Sequence, residues 1–203
     1  MDTDVMWAHI DAGRSGVADM LSSLTPEQWS APSLCDDWTV RDVAVHLTQA
    51  HMRLGQFLSV AVRSGLRFDT MIRRAAQDDG LSPKEIVAAL RGMVGSRRKA
   101  PGAFPLLDVM VHTQDIAIPL GIDRRMPPDA AIDSAERLWG MRFPLHLARA
   151  SRGFSFRATD CDFTIGRGPE VTGPIRDIVL VLSGRQAGLT GLSGAADRIR
   201  LGV

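Results

Sequence analysis

The sequence predicts a mainly α-helical protein, with a helical bundle over residues 1–150 and a small α/β C-terminal region over 151–203. Three observations predict it. Apolar residues recur every three or four positions through the first part of the chain, several segments open on strong helix-start signals, and beyond Gly153 the period of apolar residues falls to two. With 203 residues, 45% hydrophobic and 23% charged, the chain is long and apolar enough to bury its own core.

The first helix is read from Trp7, Ile10, Val17, Met20, Leu21 and Leu24, which share one face. Thr25-Pro26-Glu27 reads as a turn with its own cap, and the stretch from Trp29 to Trp38 as irregular, with Pro32 and the paired Asp36 and Asp37. A second helix starts at Thr39, because Thr39 and Asp42 resemble a capping box; its apolar face runs from Val43 to Val62 and it ends near Gly65. Residues from about Arg67 to Gly80 are polar and read as a loop or a short helical piece.

Ser82-Pro83-Lys84-Glu85 signals a third helix running to about Lys99, with Ser as cap, Pro in the first turn and Glu completing the box. Pro105 opens a fourth helix to about Ile118, closed by Pro119 and Gly121. Another runs from Pro128 to Ala150, with Pro144 expected to kink or end it. In the last region Phe154, Phe156 and Ala158 alternate with polar residues ahead of Phe163 and Ile165, which predicts a hairpin. Gly166-Arg167-Gly168-Pro169 is a turn, Pro174 to Ser183 a short helix, and Ile199 to Leu201 a final strand.

Charge and cysteine usage narrow the function classes. A net charge of +1 gives no global drive toward nucleic acid or membrane, and Arg97-Arg98-Lys99 is too small a cluster to change that. It is read instead as complementing a helix C-terminus. No segment approaches the roughly 18 apolar residues that a bilayer span needs. The N-terminal segment starts acidic and has no long apolar run, so no secretory leader is expected and a reducing cytoplasm is the expected location. Cys35 and Cys161 stand far apart without a CxxC or a histidine beside them in sequence, and both read as ordinary thiols.

The chemistry concentrates in Asp108-Val109-Met110-Val111-His112-Thr113-Gln114-Asp115. Residues three and four apart share a helical face, so Asp108, His112 and Asp115 project together. A carboxylate and an imidazole one turn apart can reach a single ion, though spacing alone equally allows a helix-surface ion pair. His46, set among Val43, Val45 and Leu47 on another helix, supplies a third ligand. Two histidines and one carboxylate leave coordination positions open for water or substrate. The remaining histidines read otherwise: His51 is five positions from His46 and falls off its face, while His9 and His146 have no partner at metal spacing. Trp38, just before a helix cap, reads as an apolar staple or a rim aromatic.

Two segments carry a family resemblance. The run from Leu24 to Leu47, LTPEQWSAPSLCDDWTVRDVAVHL, and the run from Asp108 to Gly121, DVMVHTQDIAIPLG, resemble the mycothiol-dependent maleylpyruvate isomerase-like proteins of the DinB superfamily; the segment from Arg157 to Gly194 resembles the C-terminal region attached to many of them. The resemblance implies a DinB-like four-helix bundle with a divalent metal, held by His46, His112 and the acid that falls on Asp108. In the isomerase that acid is a glutamate. Asp108 is one methylene shorter, which leaves open ligation through a water or by another group. Asp115 is expected to orient His112 from behind, with direct ligation as the alternative.

The resemblance further implies a metal-dependent enzyme that uses a low-molecular-weight thiol, mycothiol, as cosubstrate in an actinobacterial host. The reaction would be S-transfer to a small electrophile or its thiol-assisted cis-trans isomerisation. Zinc is the first expectation for the metal, and nickel, manganese, iron or cobalt suit the same ligands. Arg41 and Arg185 are the cations expected to meet the thiol. The alternatives are a non-catalytic or stress-linked metal-binding protein and a metal-water hydrolase. A homodimer is compatible with a bundle of this kind, and neither nucleic acid nor membrane is an expected partner.

Overall fold

The computed structural model describes residues 1–51, 76, 80–99, 104–141 and 147–201. By their contacts, Asp2–Arg124 form one compact unit, and Arg125–Val203 with Met1 form a second. The first is the expected four-helix bundle. Its long helices are α1 (Thr3–Ser22), α3 (Val40–Thr48), α4 (Pro83–Gly92) and α5 (Pro105–Ala117), with the single turn α2 (Pro26–Trp29) between the first two. Helix α1 packs on α4 and α5, and α3 packs on the same two, so the four close into a ring around one core. Ile10, Val17, Leu21, Val43, Ile86, Leu90 and Ile116 fill it, each at most 1% exposed.

The helix starts lie where the caps place them. Both oxygens of the Thr39/Asp42 box engage: Asp42 Oδ2 accepts from the Thr39 amide (2.9 Å), and Thr39 Oγ1 accepts from the Asp42 amide (3.2 Å). Ser82 and Glu85 do the same for α4. Asp2 caps α1 by accepting from the Asp4 amide at 2.8 Å, five residues before Trp7, the first apolar position that marks the helix in the sequence.

The helix ends depart from expectation. Helix α4 stops at Gly92 rather than near Lys99, and the chain turns through Gly95 at φ 79°. Arg14, 1% exposed, reaches across from α1 and donates to the Met93 and Ser96 carbonyls at 2.8 and 2.9 Å. Those carbonyls lie at the C-cap and in the turn beyond the helix, and one guanidinium nitrogen, Nη1, donates to both. Helix α3 gives way at Gln49 to a 3-10 turn, Gln49–His51; its expected continuation toward Gly65, like the segment from Arg67, runs into residues outside those described. In the 3-10 turn His51 is part-buried, with its Nε2 3.5 Å from Arg14 Nη2.

In the second unit, α6 (Pro128–Gly140) packs on α7 (Ile175–Leu182). The contact boundary therefore falls after Arg124, whereas the sequence pattern drew it near residue 150. Helix α6 ends at Gly140, where Met141 is extended at ψ 125°; Pro144 and His146 lie outside the described residues. The expected hairpin forms as β1 (Ser155–Ala158) and β2 (Thr164–Gly166), with Phe156 opposite Ile165. Two further strands, β3 (Glu170–Gly173) and β4 (Ser193–Gly194), complete a sheet of order β2-β1-β3-β4, in which β1 and β3 run parallel. Ile199–Leu201 is not a strand: Ile199 is buried as a single apolar anchor after a 3-10 turn and Arg200 faces out. No helix among the described residues is long and apolar enough to cross a membrane.

One packing contact bears directly on α5. A Cβ added at Gly13 would overlap Cγ1 of Val109, a stiff β-branched side chain next to Asp108. At Gly16, one turn on, the obstacle is the mobile end of Arg124. Replacing a helical glycine by alanine normally stabilises by roughly 0.5–1 kcal/mol, and overpacking costs about 1–3 kcal/mol. Gly13→Ala is therefore expected to lower the urea unfolding free energy by about 1–2 kcal/mol, while Gly16→Ala leaves it unchanged or raises it. Equal effects from the two would show that α1 and α5 do not approach closely at Gly13.

Candidate metal centre

Three side chains from two helices converge inside the first unit. Ligand atoms of His46 on α3 and of Asp108 and His112 on α5 all lie within 4.8 Å of one another. The His46 and His112 rings stand 4.8 Å apart at 84°. Helix α5 is apolar over most of its surface: Leu106, Leu107, Val109, Met110, Val111 and Ile116 are all buried. Its polar stripe, Asp108, His112 and Asp115, is thereby directed at α3. Trp38 stands against the His46 ring, with centroids 5.6 Å apart and planes at 84°.

His112 is oriented from behind. Asp115 is fully buried, and its Oδ2 lies 2.8 Å from His112 Nδ1. An ionised carboxylate only accepts, so Nδ1 carries the proton and Nε2 is the atom left for an ion. Burial pushes the His112 imidazolium down, but the hydrogen bond and charge of Asp115, with a smaller contribution from Cys35, outweigh it and push the group up to about 10. Surroundings that favour a proton at His112 favour any cation there. Asp108 moves the other way from its ordinary role as a free carboxylate. Burial pushes its carboxyl up, against the opposing pull of His112 and the Phe104 amide, and a bound cation would supply the missing counter-charge.

The residues present therefore fit a divalent ion: two imidazoles, one carboxylate, an oriented tautomer, and a partly exposed position, with 16% of the His112 side chain open. A second group, Cys35, His112 and Asp115, also meets ligand spacing. Cys35 is the site residue that sequence reasoning passed over. It lies 77 positions before His112, and no local motif links the two; only the fold brings its Sγ to 3.1 Å from Asp115 Oδ2.

The two arginines expected beside the thiol are otherwise engaged. Arg41 donates to the Leu81 carbonyl at 2.9 Å, with Nη1 at 3.9 Å from Asp42 Oδ1. Arg185 belongs to the second unit, where it donates to the Ser183 carbonyl at 2.7 Å.

Comparison with known proteins bears on the family and the fold. Residues 10–106 match the mycothiol maleylpyruvate isomerase N-terminal domain, a stretch that includes His46 and stops just before Asp108. The crystal structure of a mycothiol-dependent maleylpyruvate isomerase superposes with a TM-score of 0.63 over 100% of this chain and 97% of that one, at 12% identity. A histidine-to-alanine mutant of that enzyme gives 0.62 over the same shares. At such identity the likeness is one of fold. Two uncharacterized proteins, from two strains of Mycobacterium tuberculosis, are each 25% identical over 151 residues, covering 69% of this chain and 82% of theirs. The family resemblance read from the sequence is borne out.

Asp115 beside His112 favours its imidazolium form, so an ion bound through Nε2 is expected to displace a proton. Zinc affinity is expected to rise about tenfold per pH unit between about pH 7 and 9, with one proton released per ion. Calorimetric titration in buffers of different ionisation enthalpy reads both quantities. An affinity flat across that range would place the ion elsewhere.

Proposed function

Since residues 10–106 carry the mycothiol maleylpyruvate isomerase N-terminal domain, we propose that the protein is a cytoplasmic metal-dependent enzyme that uses mycothiol to isomerise, or transfer sulfur to, a small electrophile. One observation carries the reading: His46, Asp108 and His112 come together in the bundle that matches the family's fold. A bound divalent ion, zinc first and nickel, manganese, iron or cobalt by the same donors, supplies positive charge that lowers the pKa of a thiol placed beside it.

The chain's own groups define what surrounds that charge. His46 and His112 would hold such an ion as neutral imidazoles, and Asp108 would offset part of its charge. Asp115 keeps the His112 proton on Nδ1, so that Nε2 faces inward. Trp38 and the apolar flank of α3 exclude water from one side, which strengthens every electrostatic interaction there. Arg41, whose Nη2 donates to the Leu81 carbonyl, keeps 28% of its side chain exposed and is the bundle-side cation proposed to meet the thiol's polar groups.

The thiolate of the cosubstrate would add to one carbon of a cis double bond conjugated to a carbonyl, with the electron pair moving toward the carbonyl. Rotation about the resulting single bond and expulsion of the same thiolate would give the trans isomer and return the thiolate for the next turnover. With an epoxide or an activated ring, the carbon–oxygen or carbon–leaving-group bond breaks instead and the sulfur stays attached.

Protein expressed without a histidine tag and purified without a metal-affinity step is expected to hold about one equivalent of a single divalent metal, read by elemental mass spectrometry. His46→Ala and His112→Ala are each expected to lose it while keeping their helical circular dichroism, and to lose thiol-dependent turnover by at least about 100-fold. Wild type that stays empty after incubation with zinc, nickel and manganese would leave a helical binding module instead of an enzyme.

A further inference from the structure

Cys35 lies in the loop between α2 and α3, and its thiol belongs to a chain of contacts that runs to His112. Its Sγ donates to Asp115 Oδ2 at 3.1 Å, and the same oxygen accepts from His112 Nδ1 at 2.8 Å. One carboxylate oxygen thus takes two donors, and Asp115 has no solvent exposure through which water could replace either. Removing the thiol would leave a buried lone pair short of a donor, the kind of loss that costs the full desolvation of the group.

The loop holds the thiol in place by its own network. Ser33 Oγ donates to the Trp38 carbonyl at 2.9 Å and accepts from the Cys35 amide at 3.1 Å. The Trp38 amide donates to the Cys35 carbonyl at 3.1 Å, and Asp37 takes a left-handed conformation at φ 61° to close this tight turn. Independently of the side chains, the Leu34 amide donates to the Asp115 backbone carbonyl at 3.0 Å. The loop is therefore tied to α5 twice at one residue, by main chain and by thiol. At its other end it runs directly into Thr39, the cap of the helix that carries His46.

We propose that Cys35 is a positioning residue of the metal centre: its thiol, through Asp115, fixes the tautomer and the orientation of His112, and the loop that carries it sets α3 and α5 in register so that His46 meets His112. Cys35 neither ligates the ion nor attacks the substrate. The inference rests on the metal-dependent reading above and deepens it.

The test uses the full chain as wild type, Cys35→Ser and Cys35→Ala, with two readouts. The first is zinc affinity, measured by competition with a chromophoric chelator. Cys35→Ala is expected to bind about tenfold more weakly than wild type, the lower end of what groups behind a ligand contribute. Cys35→Ser, which keeps a donor at the position, is expected to recover most of that loss. The second readout needs no metal: the His112 ring Nδ1–H proton in nitrogen-15 spectra, protected in wild type and Cys35→Ser and exchanging faster in Cys35→Ala.

Equal zinc affinity and equal ring-proton protection in all three proteins would overturn the inference while leaving the metal reading intact. Equal loss of zinc in both variants would overturn it in favour of direct ligation by sulfur. A wild type that binds no zinc would defeat the metal reading itself, and the ring-proton comparison would still decide whether the thiol orients His112. Circular dichroism of Cys35→Ser guards against mistaking unfolding for either result.

Discussion

A single buried carboxylate, Asp115, is the constraint on which the candidate centre depends. It has no solvent exposure, so its charge must be met by protein donors. It finds them in the His112 ring and the Cys35 thiol, at 2.8 and 3.1 Å. Satisfying Asp115 fixes which nitrogen of His112 holds the proton, and so which nitrogen faces Asp108 and His46. An unanchored imidazole in the same place could flip its ring and offer either atom.

The same carboxylate links local capping to tertiary geometry. Helix α3 begins where the Thr39/Asp42 box begins it, six residues before His46, and the loop leading into that box is pinned at Leu34 and Cys35 to α5. A capping interaction contributes about 1 kcal/mol to a helix, but here it also sets the height at which His46 enters the bundle. Gly13 on the far side of α5 lets α1 approach Val109 closely, and Val109 is the neighbour of Asp108. The three ligand candidates are thus placed by three different contacts.

Much of the fold was legible because its signals are local. The capping boxes at Thr39 and Ser82, the proline opening α5 and the alternation around Phe156 each act within four residues, and each element starts where they point. The i, i+4 spacing of Asp108 and His112 and the apolar setting of His46 were legible for the same reason. What could not be read depends on distant partners. Helix α4 ends early because Arg14, 79 residues before Met93, satisfies the carbonyls there. Strand β3 is short and half polar, and only its parallel pairing with β1 makes it a strand. Cys35 has no sequence neighbour that betrays its role, since Asp115 lies 80 residues away.

The most direct test of the account is X-ray absorption at the edge of the metal bound by the full-length wild-type protein. The account predicts an inner sphere of nitrogen and oxygen at about 2.0–2.2 Å with the outer scattering of two imidazoles, and no sulfur at about 2.3 Å in the absence of added thiol. A sulfur neighbour in the protein alone, or fewer than two imidazoles, would contradict a centre built from His46, Asp108 and His112 with Cys35 standing behind it.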